Sequence, residues 1–201
     1  IENAALEPEI DDLADILIKA GAKISGVGTR CIKIERVPEL KGVSHHVIPD
    51  RVEAGTLLIA GAITGGDVTV TNLNVDHLEP LIRKLKDCQF GLTIKENTIR
   101  VIGKKEFCGA TIETLPFPGF PTDLQAQMMA ILSVAKGTSI VKETIFENRF
   151  MHAYELNRMG ADIKIDGNHA FITGVEKLSA APVKITDLRA GAALVLAGVR
   201  A

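Results

Sequence analysis

Hydrophobic positions along this chain follow two recurring patterns. Apolar runs with helical spacing, rich in Ala and Leu, begin after an aspartate three times, at Asp50, Asp123 and Asp187. Between these runs lie short segments in which apolar and polar residues alternate, which is typical of strands with one buried face. Segments 67–72 and 139–144 are predicted strands of this kind. The pattern therefore predicts a chain of alternating helices and strands.

The second pattern is a helix, a glycine stop and two short strands. Pro8 suits a first helical turn, and Gly21 and Gly160 suit the position just after a helix. Asp166 and Gly167 are predicted to form the hairpin turn between the last two strands. Together the two patterns predict a repeated unit of strand, helix, strand, helix, strand, strand.

Equivalent residues in two of these units support the repeat. Ile94 corresponds to Ile165 and Gly103 to Gly174, each pair 71 residues apart (165 − 94 and 174 − 103). Because the runs after the aspartates are apolar on nearly all sides, we expect buried helices inside a ring of sheets. The predicted fold class is α/β, with repeated βαβαββ units around buried helices.

Composition and charge narrow the function. The chain has 201 residues, 46% of them hydrophobic, and a formal net charge of −2. No basic patch for nucleic acid is present, and no apolar run reaches the ~18 residues that span a membrane. Cys31, Cys88 and Cys108 are scattered, which predicts ordinary core or surface thiols in a reducing cytoplasm. We expect neither a metal nor a cofactor, and we assign His152 and Met129 to packing.

The three aspartates have two compatible interpretations. Each could cap the N-terminus of its helix, and each could serve as a general base held near that helix end. Several helix N-termini brought together also favour an anionic substrate.

Arginines at helix starts give a further signal. Arg51 and Arg189 follow Asp50 and Asp187 within the first predicted turn, where the helix dipole disfavours a cation. An ion pair with a nearby carboxylate or a bound anion would offset that cost. Arg149 lies among phenylalanines and is predicted either to clamp an anion or to pack its stem on these rings with its head group in water.

Four strings, FPTDLQAQ, TIFENRFMH, RMGADI and TDLRAGAALVLAG, carry a resemblance to a known family. In this order, with IENAALEPEI and IPDRVEAGT before them, they resemble the UDP-N-acetylglucosamine 1-carboxyvinyltransferases. The resemblance covers essentially the whole chain. It implies the enolpyruvyl-transferase type of inside-out α/β barrel, with two similar domains and substrates bound in the cleft between them.

The resemblance also implies a domain assignment. Residues 1–45 would be the C-terminal part of the first domain, and residues 46–201 most of the second. The chain begins at Ile1 and stops at Ala201 within a helical pattern, so we expect an internal fragment, incomplete at both ends. The family's cysteine loop has no match here, so we expect the fragment alone to be inactive. We also expect it to self-associate through exposed apolar surface.

The implied reaction transfers enolpyruvyl from phosphoenolpyruvate to the 3′-hydroxyl of UDP-N-acetylglucosamine and releases phosphate. By motif, Asp123 would accept the hydroxyl proton and Asp187 would assist proton movement. Arg149 and Arg189 would clamp the phosphoenolpyruvate carboxylate, and the backbone at Ile145 would hold the nucleotide. Two alternatives remain: an enolpyruvyl transferase acting on shikimate 3-phosphate, and a non-catalytic repeat module that binds anions.

Overall fold

The structure, a computed structural model, describes residues 1–185 and 187–201. The chain divides into two compact units: Ile1–Pro49 with Pro116–Pro118, and Asp50–Leu115 with Gly119–Ala201. The α-helices are α1 (Pro8–Lys19), α2 (Arg51–Ile63), α3 (Glu79–Asp87), α4 (Gln125–Leu132), α5 (Met151–Arg158) and α6 (Leu188–Arg200). The strands are β1 (Lys23–Ser25), β2 (Lys33–Glu35), β3 (Asp67–Thr71), β4 (Gly91–Lys95), β5 (Thr98–Ile102), β6 (Thr111–Glu113), β7 (Thr138–Lys142), β8 (Asp162–Asp166) and β9 (His169–Thr173).

The smaller unit contains α1 and an antiparallel pair of strands. Pro8 is in the first turn of α1, as predicted, and the helix ends where Ala20 donates its N–H to the carbonyl of Ile16. Gly21 follows with a φ of 105°, a backbone conformation that favours glycine. Strands β1 and β2 pair with Ile24 opposite Ile34.

The larger unit contains two sheets that share one design. The three-stranded sheet has the order β3-β5-β4 and the four-stranded sheet the order β6-β7-β9-β8. The pairs are antiparallel except that β6 runs parallel to β7. The second copy of the repeat, residues 111–174, therefore shows the complete predicted order β6-α4-β7-α5-β8-β9. In the first copy, residues 50–103, the order is α2-β3-α3-β4-β5.

The predicted 71-residue equivalence is confirmed at the ends of the hairpins. Gly103 donates its N–H to Gly66, and Gly174 donates to Gly137 at the same place in the second copy. A Cβ on Gly174 would lie 1.5 Å from the carbonyl oxygen of Ala135, so only glycine fits there. At Gly103 the corresponding Cβ would lie 2.6 Å from backbone atoms of the helix end.

Helices α2, α4 and α6 pack on one another in the centre of the larger unit. All eight residues of α4 are buried, including Gln125 and Gln127, which confirms the prediction of a buried helix. Helix α6 differs, because Leu188, Val195 and Val199 are 80%, 66% and 63% exposed. These side chains offer apolar surface for the self-association that we predict.

Two predicted boundaries need correction. The hairpin turn consists of Gly167 and Asn168, because Asp166 still pairs with His169 as the last residue of β8. Strand β7 starts one residue earlier than predicted and ends at Lys142, so residues 143 and 144 lie outside it. Among the helices of the described residues, none has the length and apolarity needed to cross a membrane.

Candidate active site

The three aspartates do not behave alike. Asp50 caps α2 by accepting hydrogen bonds from the backbone N–H groups of Val52 and Glu53. Asp187 caps α6 in the same way, accepting from Arg189 and Ala190. For these two residues the capping interpretation is confirmed.

Asp123 is not a cap. It lies inside a 3₁₀ turn, Thr122–Leu124, that precedes α4, and the extended position before this turn is occupied by Pro121. No side chain caps this turn or α4, and the Asp123 carboxylate accepts no hydrogen bond from their free N–H groups. The capping interpretation is therefore wrong for Asp123, and its carboxylate is available for other partners.

Those partners are two arginines from distant parts of the chain. Arg149 donates from Nη2 to Oδ1 of Asp123 at 2.8 Å, and Arg189 donates from Nη2 to Oδ2 at 3.0 Å. The side chains of Asp123, Arg149 and Arg189 are 36%, 19% and 30% exposed. One half-buried carboxylate thus bridges two guanidinium groups at the edge of the core.

Arg149 is held from two further sides. Its Nη1 donates to the hydroxyl of Thr122 at 2.8 Å, and its guanidinium carbon lies 4.7 Å from the centre of the Phe146 ring. A cation over an aromatic face is attracted by the ring, and the contact also fixes the plane of the guanidinium. Because the head group has these partners, the alternative of an arginine with its head in water is wrong.

The charges of the site are unevenly matched. Burial raises the pKa of the Asp123 carboxyl, but the hydrogen bonds and charges of Arg149 and Arg189 outweigh burial and hold this pKa below its usual range. Asp123 is therefore ionised at neutral pH, and in the direct ion pairs its one carboxylate is shared by two guanidinium groups. Each guanidinium has five N–H donors, so it can bind a second carboxylate or phosphate as well.

The remaining predicted site residues lie on the same elements. Asp187 caps the helix whose first turn contains Arg189. Ile145 lies in the segment between β7 and α5 that also contains Arg149, and its N–H donates to Glu143. The structure thus brings Asp123, Arg149 and Arg189 into direct contact, with Asp187 and Ile145 on the segments that supply the arginines.

Two residues in the same contacts, Glu143 and Thr122, were missed by the sequence analysis. Glu143 accepts a hydrogen bond from Thr122, which in turn accepts one from Arg149. The alternation of β7 contains a signal for Glu143, because Ser139, Val141 and Glu143 occupy alternate positions and are all buried. A carboxylate that follows two buried positions of this pattern requires partners.

Other candidates prove to be packing residues, as predicted. His152 is buried, and burial lowers its pKa to about 4. Met128 and Met129 are fully buried, and Cys88 is a buried thiol whose pKa burial raises to about 12. Cys31 is exposed and Cys108 is half-buried. Within residues 1–185 and 187–201, no group of three or more His, Cys, Asp or Glu side chains is arranged to hold a metal.

The sequence model described as EPSP synthase (3-phosphoshikimate 1-carboxyvinyltransferase) matches residues 1–201. The chain belongs to the EPSP synthase family. The family model is named for 3-phosphoshikimate as the acceptor, whereas the curated relatives below are named for UDP-N-acetylglucosamine.

Curated relatives are similar over the whole of this chain. A UDP-N-acetylglucosamine 1-carboxyvinyltransferase 1 of Caldanaerobacter subterraneus subsp. tengcongensis is 60% identical over 199 residues, which are 99% of this chain and 48% of the relative. A UDP-N-acetylglucosamine 1-carboxyvinyltransferase of Geotalea daltonii is 55% identical over the same shares. The chain spans about half the length of the curated relatives that it matches.

Solved structures support the fold class of this family member. The enolpyruvyl transferase NikO from Streptomyces tendae superposes with a TM-score of 0.83 at 24% identity, over 98% of this chain and 48% of NikO. EPSP synthase from Acinetobacter baumannii gives a TM-score of 0.67 at 20% identity, over 93% of this chain and 47% of that structure. These likenesses confirm the predicted enolpyruvyl-transferase fold.

Proposed function

We propose that this chain is part of an enzyme that transfers the enolpyruvyl group of phosphoenolpyruvate to the 3′-hydroxyl of UDP-N-acetylglucosamine, with release of phosphate. One observation carries the proposal: the carboxylate of Asp123 lies between the guanidinium groups of Arg149 and Arg189. A carboxylate that can take a proton and two fixed cations suit the addition of a hydroxyl group to the double bond of an anionic enol phosphate.

In this reaction the 3′-hydroxyl oxygen bonds to C2 of phosphoenolpyruvate, while C3 takes a proton from a general acid in the family's cysteine loop, which has no match in this chain. The hydroxyl proton passes to Asp123, and a tetrahedral intermediate forms. Asp187 then assists the removal of a proton from C3, the C2–O bond to phosphate breaks, and phosphate leaves as the double bond is restored. Arg149 and Arg189 bind the phosphoenolpyruvate carboxylate, whose two oxygens match the N–H groups of a guanidinium.

The ion pairs of Asp123 with Arg149 and Arg189 determine when its carboxylate can accept a proton. While both arginines are paired with Asp123, they hold the pKa of its carboxyl low and make it a poor proton acceptor. A bound phosphoenolpyruvate carboxylate takes over their N–H groups and adds a like charge beside Asp123. Both changes raise the pKa of Asp123, so the base becomes effective after the donor substrate has bound.

Ile145 and Asp187 complete the proposed site. The N–H of Ile145 is engaged by Glu143, so the carbonyl oxygen is the backbone group left to accept an N–H or O–H of the nucleotide. Oδ1 of Asp187 accepts from the backbone of α6, which orients the carboxylate beside Arg189. In this position Asp187 assists the movement of the proton at C3.

The choice of acceptor rests on the relatives. Those at 55–60% identity are named for UDP-N-acetylglucosamine, whereas the solved EPSP synthase is 20% identical. The enzyme then catalyses the first committed step of peptidoglycan precursor synthesis, in the cytoplasm, and serves cell-wall growth and division. Residues 1–45 belong to its first domain and residues 46–201 to its second.

The test uses a restored protein, in which this chain replaces the matched 199 residues of the Caldanaerobacter relative. Phosphate release is measured with phosphoenolpyruvate and UDP-N-acetylglucosamine, and then with shikimate 3-phosphate as acceptor. We expect turnover with the nucleotide and at least 100-fold less with Asp123→Ala. The unmodified relative, assayed in parallel, shows that the preparation and assay work.

Three outcomes contradict the proposal. Turnover of the restored protein with shikimate 3-phosphate alone favours that acceptor. Full turnover of Asp123→Ala removes this carboxylate from the chemistry. The third outcome is anion binding by the 201-residue chain, measured by calorimetry, together with no turnover of the restored protein. That result favours a non-catalytic module.

A further inference from the structure

Glu143 is a buried carboxylate whose hydrogen bonds reach three separate segments. It directly follows β7 and is 2% exposed. Oε1 accepts from the hydroxyl of Thr114 at 2.8 Å and from the backbone N–H groups of Ile145 and Phe146 at 2.8 and 3.2 Å. Oε2 accepts from the hydroxyl of Thr122 at 2.9 Å and from the amide of Gln125 at 3.2 Å.

These five bonds connect Glu143 to both sides of the arginine–aspartate contact. On one side, Ile145 and Phe146 begin the segment that leads to Arg149, and the Phe146 ring lies against the Arg149 guanidinium. On the other side, Thr122 directly precedes Asp123 and also accepts from Arg149 at 2.8 Å. One side chain therefore sets the distance between the two segments that meet in the site.

We propose that Glu143 is a positioning residue: its carboxylate holds the 3₁₀ turn with Asp123 and the segment with Arg149 at the spacing that the site needs. It touches neither the substrate nor the reacting atoms. The expected effect on turnover rests on the proposed function, whereas the expected effect on the segment between β7 and α5 does not.

Stability alone does not account for a carboxylate at this position. A buried ionised group loses its hydration, and well-packed apolar side chains often stabilise a core as much or more. An apolar residue would, however, leave the five donors around Glu143 without an acceptor, and each would seek another arrangement. The carboxylate is thus suited to fixing one geometry rather than to adding core packing.

A pair of substitutions separates geometry from charge. Glu143→Gln keeps the shape and retains one oxygen for Thr114, Ile145 and Phe146. Its new amide faces the Thr122 hydroxyl, which accepts as well as donates, and Gln125, whose buried Oε1 lacks a partner in the described residues. Rotation of the Gln125 amide turns that oxygen toward the new N–H group. Glu143→Ala removes every acceptor.

In the restored protein we expect Glu143→Ala to lower kcat/KM for phosphoenolpyruvate about 100-fold, because small misplacements of reacting groups have effects of this size. Glu143→Gln should retain kcat/KM within about 3-fold of the unmodified protein on the same reasoning. Two variants of Thr122 test the same positioning through its hydroxyl group. Thr122→Val, which lacks the hydroxyl, should lower kcat/KM, whereas Thr122→Ser, which keeps it, should retain kcat/KM. Ile172→Val, a buried change on β9, is the control for loss of stability alone.

Hydrogen exchange measured by mass spectrometry supplies a readout independent of turnover. In Glu143→Ala the peptide covering residues 144–150 should exchange faster, while the peptide covering β9 should keep its rate. If the restored protein proves inactive, the proposed function fails, and this exchange result still decides the role of Glu143.

The proposal is overturned by unchanged exchange at 144–150, by Glu143→Ala with full turnover, or by a Glu143→Gln variant as damaged as Glu143→Ala. A last requirement is coupling. The double variant Glu143→Ala with Thr122→Val should be no worse than Glu143→Ala alone, and additive losses contradict a shared path to Arg149. Should Glu143→Ala fail to fold, the two Thr122 variants and Glu143→Gln decide the matter.

Discussion

The two copies of the repeat in the larger unit share a scaffold and differ in chemistry. Strands β3, β5 and β4 pair in the same order as β7, β9 and β8, and each copy places an aspartate near the start of its buried helix. In the first copy Asp50 caps α2. In the second copy Asp123 bridges two arginines.

A shift of two residues explains the different aspartates. The strands of the copies stand 71 residues apart, as at Ile94 and Ile165, but Asp50 and Asp123 stand 73 apart (123 − 50). Asp123 therefore lies inside the first turn, where its carboxylate makes no capping hydrogen bond. A two-residue displacement on the shared scaffold thus separates a structural carboxylate from a candidate catalytic one.

The residues around Asp123 also differ from those at the equivalent positions of the first copy. Counted 71 residues back, Arg149 corresponds to Leu78 and His152 to Leu81, and both leucines are buried. Glu143 corresponds to Asn72, a residue with a φ of 57° at the end of β3. The first copy thus has two buried leucines where the second has Arg149 and His152, and an exposed asparagine where the second has Glu143. It therefore provides a comparison within the same chain.

The largest expected effect comes from the same substitution at both aspartates of the restored protein. Asp123→Asn removes the proposed proton acceptor while keeping its shape, and we expect kcat to fall about 10²–10⁴-fold. Asp50→Asn keeps a good capping residue and should leave kcat unchanged. Phosphate release under saturating substrates measures both. Equal losses at the two positions would mean that the copies do not differ in chemistry.

A smaller effect concerns His152 and acid stability. Its pKa is lowered from 6.5 to about 4 by burial; the charge of Arg149 also lowers it, and Asp187 and Glu143 oppose this change. Between these values the unfolded chain takes up a proton that the folded chain does not, so stability is lost as pH falls from about 6.5 to about 4. The loss should approach about 3 kcal/mol and then level off at lower pH.

His152→Leu, which copies Leu81, should abolish this dependence. Urea denaturation at several pH values across the window measures it. Ile163→Val, a buried aliphatic change, should retain the full acid-dependent loss. Asp123 does not account for this loss, because the two arginines hold the pKa of its carboxyl below the ordinary value of 3.8. Its contribution to the free energy of unfolding is therefore lost at pH values below the His152 window. An unaltered acid profile in His152→Leu contradicts the assignment.

The smallest expected effect concerns the cap of α2. Asp50→Ala should lower the free energy of unfolding by about 1 kcal/mol, because two backbone N–H groups lose their acceptor. Asp50→Asn should change it by only a few tenths of a kcal/mol. Urea denaturation at neutral pH compares the two variants. An equal loss of stability in both would show that the capping hydrogen bonds do not explain the stabilising effect of Asp50.

The sequence predicted the repeat well because the repeat depends on local signals. Alternation located the hairpins, glycines located the helix ends, and the match of Gly103 with Gly174 set the correct offset. The capping interpretation was wrong at Asp123, and Glu143 was missed, because both outcomes depend on partners far along the chain. Arg189 reaches Asp123 across 66 residues, and Thr114 reaches Glu143 across 29. A local pattern can indicate burial, as the alternation of β7 does for Glu143, but it does not report the distant partner.

The parallel pairing of β6 with β7 bears on how fast the larger unit folds. The three-stranded sheet closes one hairpin, between β4 and β5, and one longer connection, which puts Asp67 beside Ile102. The four-stranded sheet closes the equivalent two connections and, in addition, the one that puts Thr111 beside Ile140. Each further closure costs entropy and slows assembly. The sheet beneath the candidate active site is therefore expected to complete later in refolding than its three-stranded counterpart.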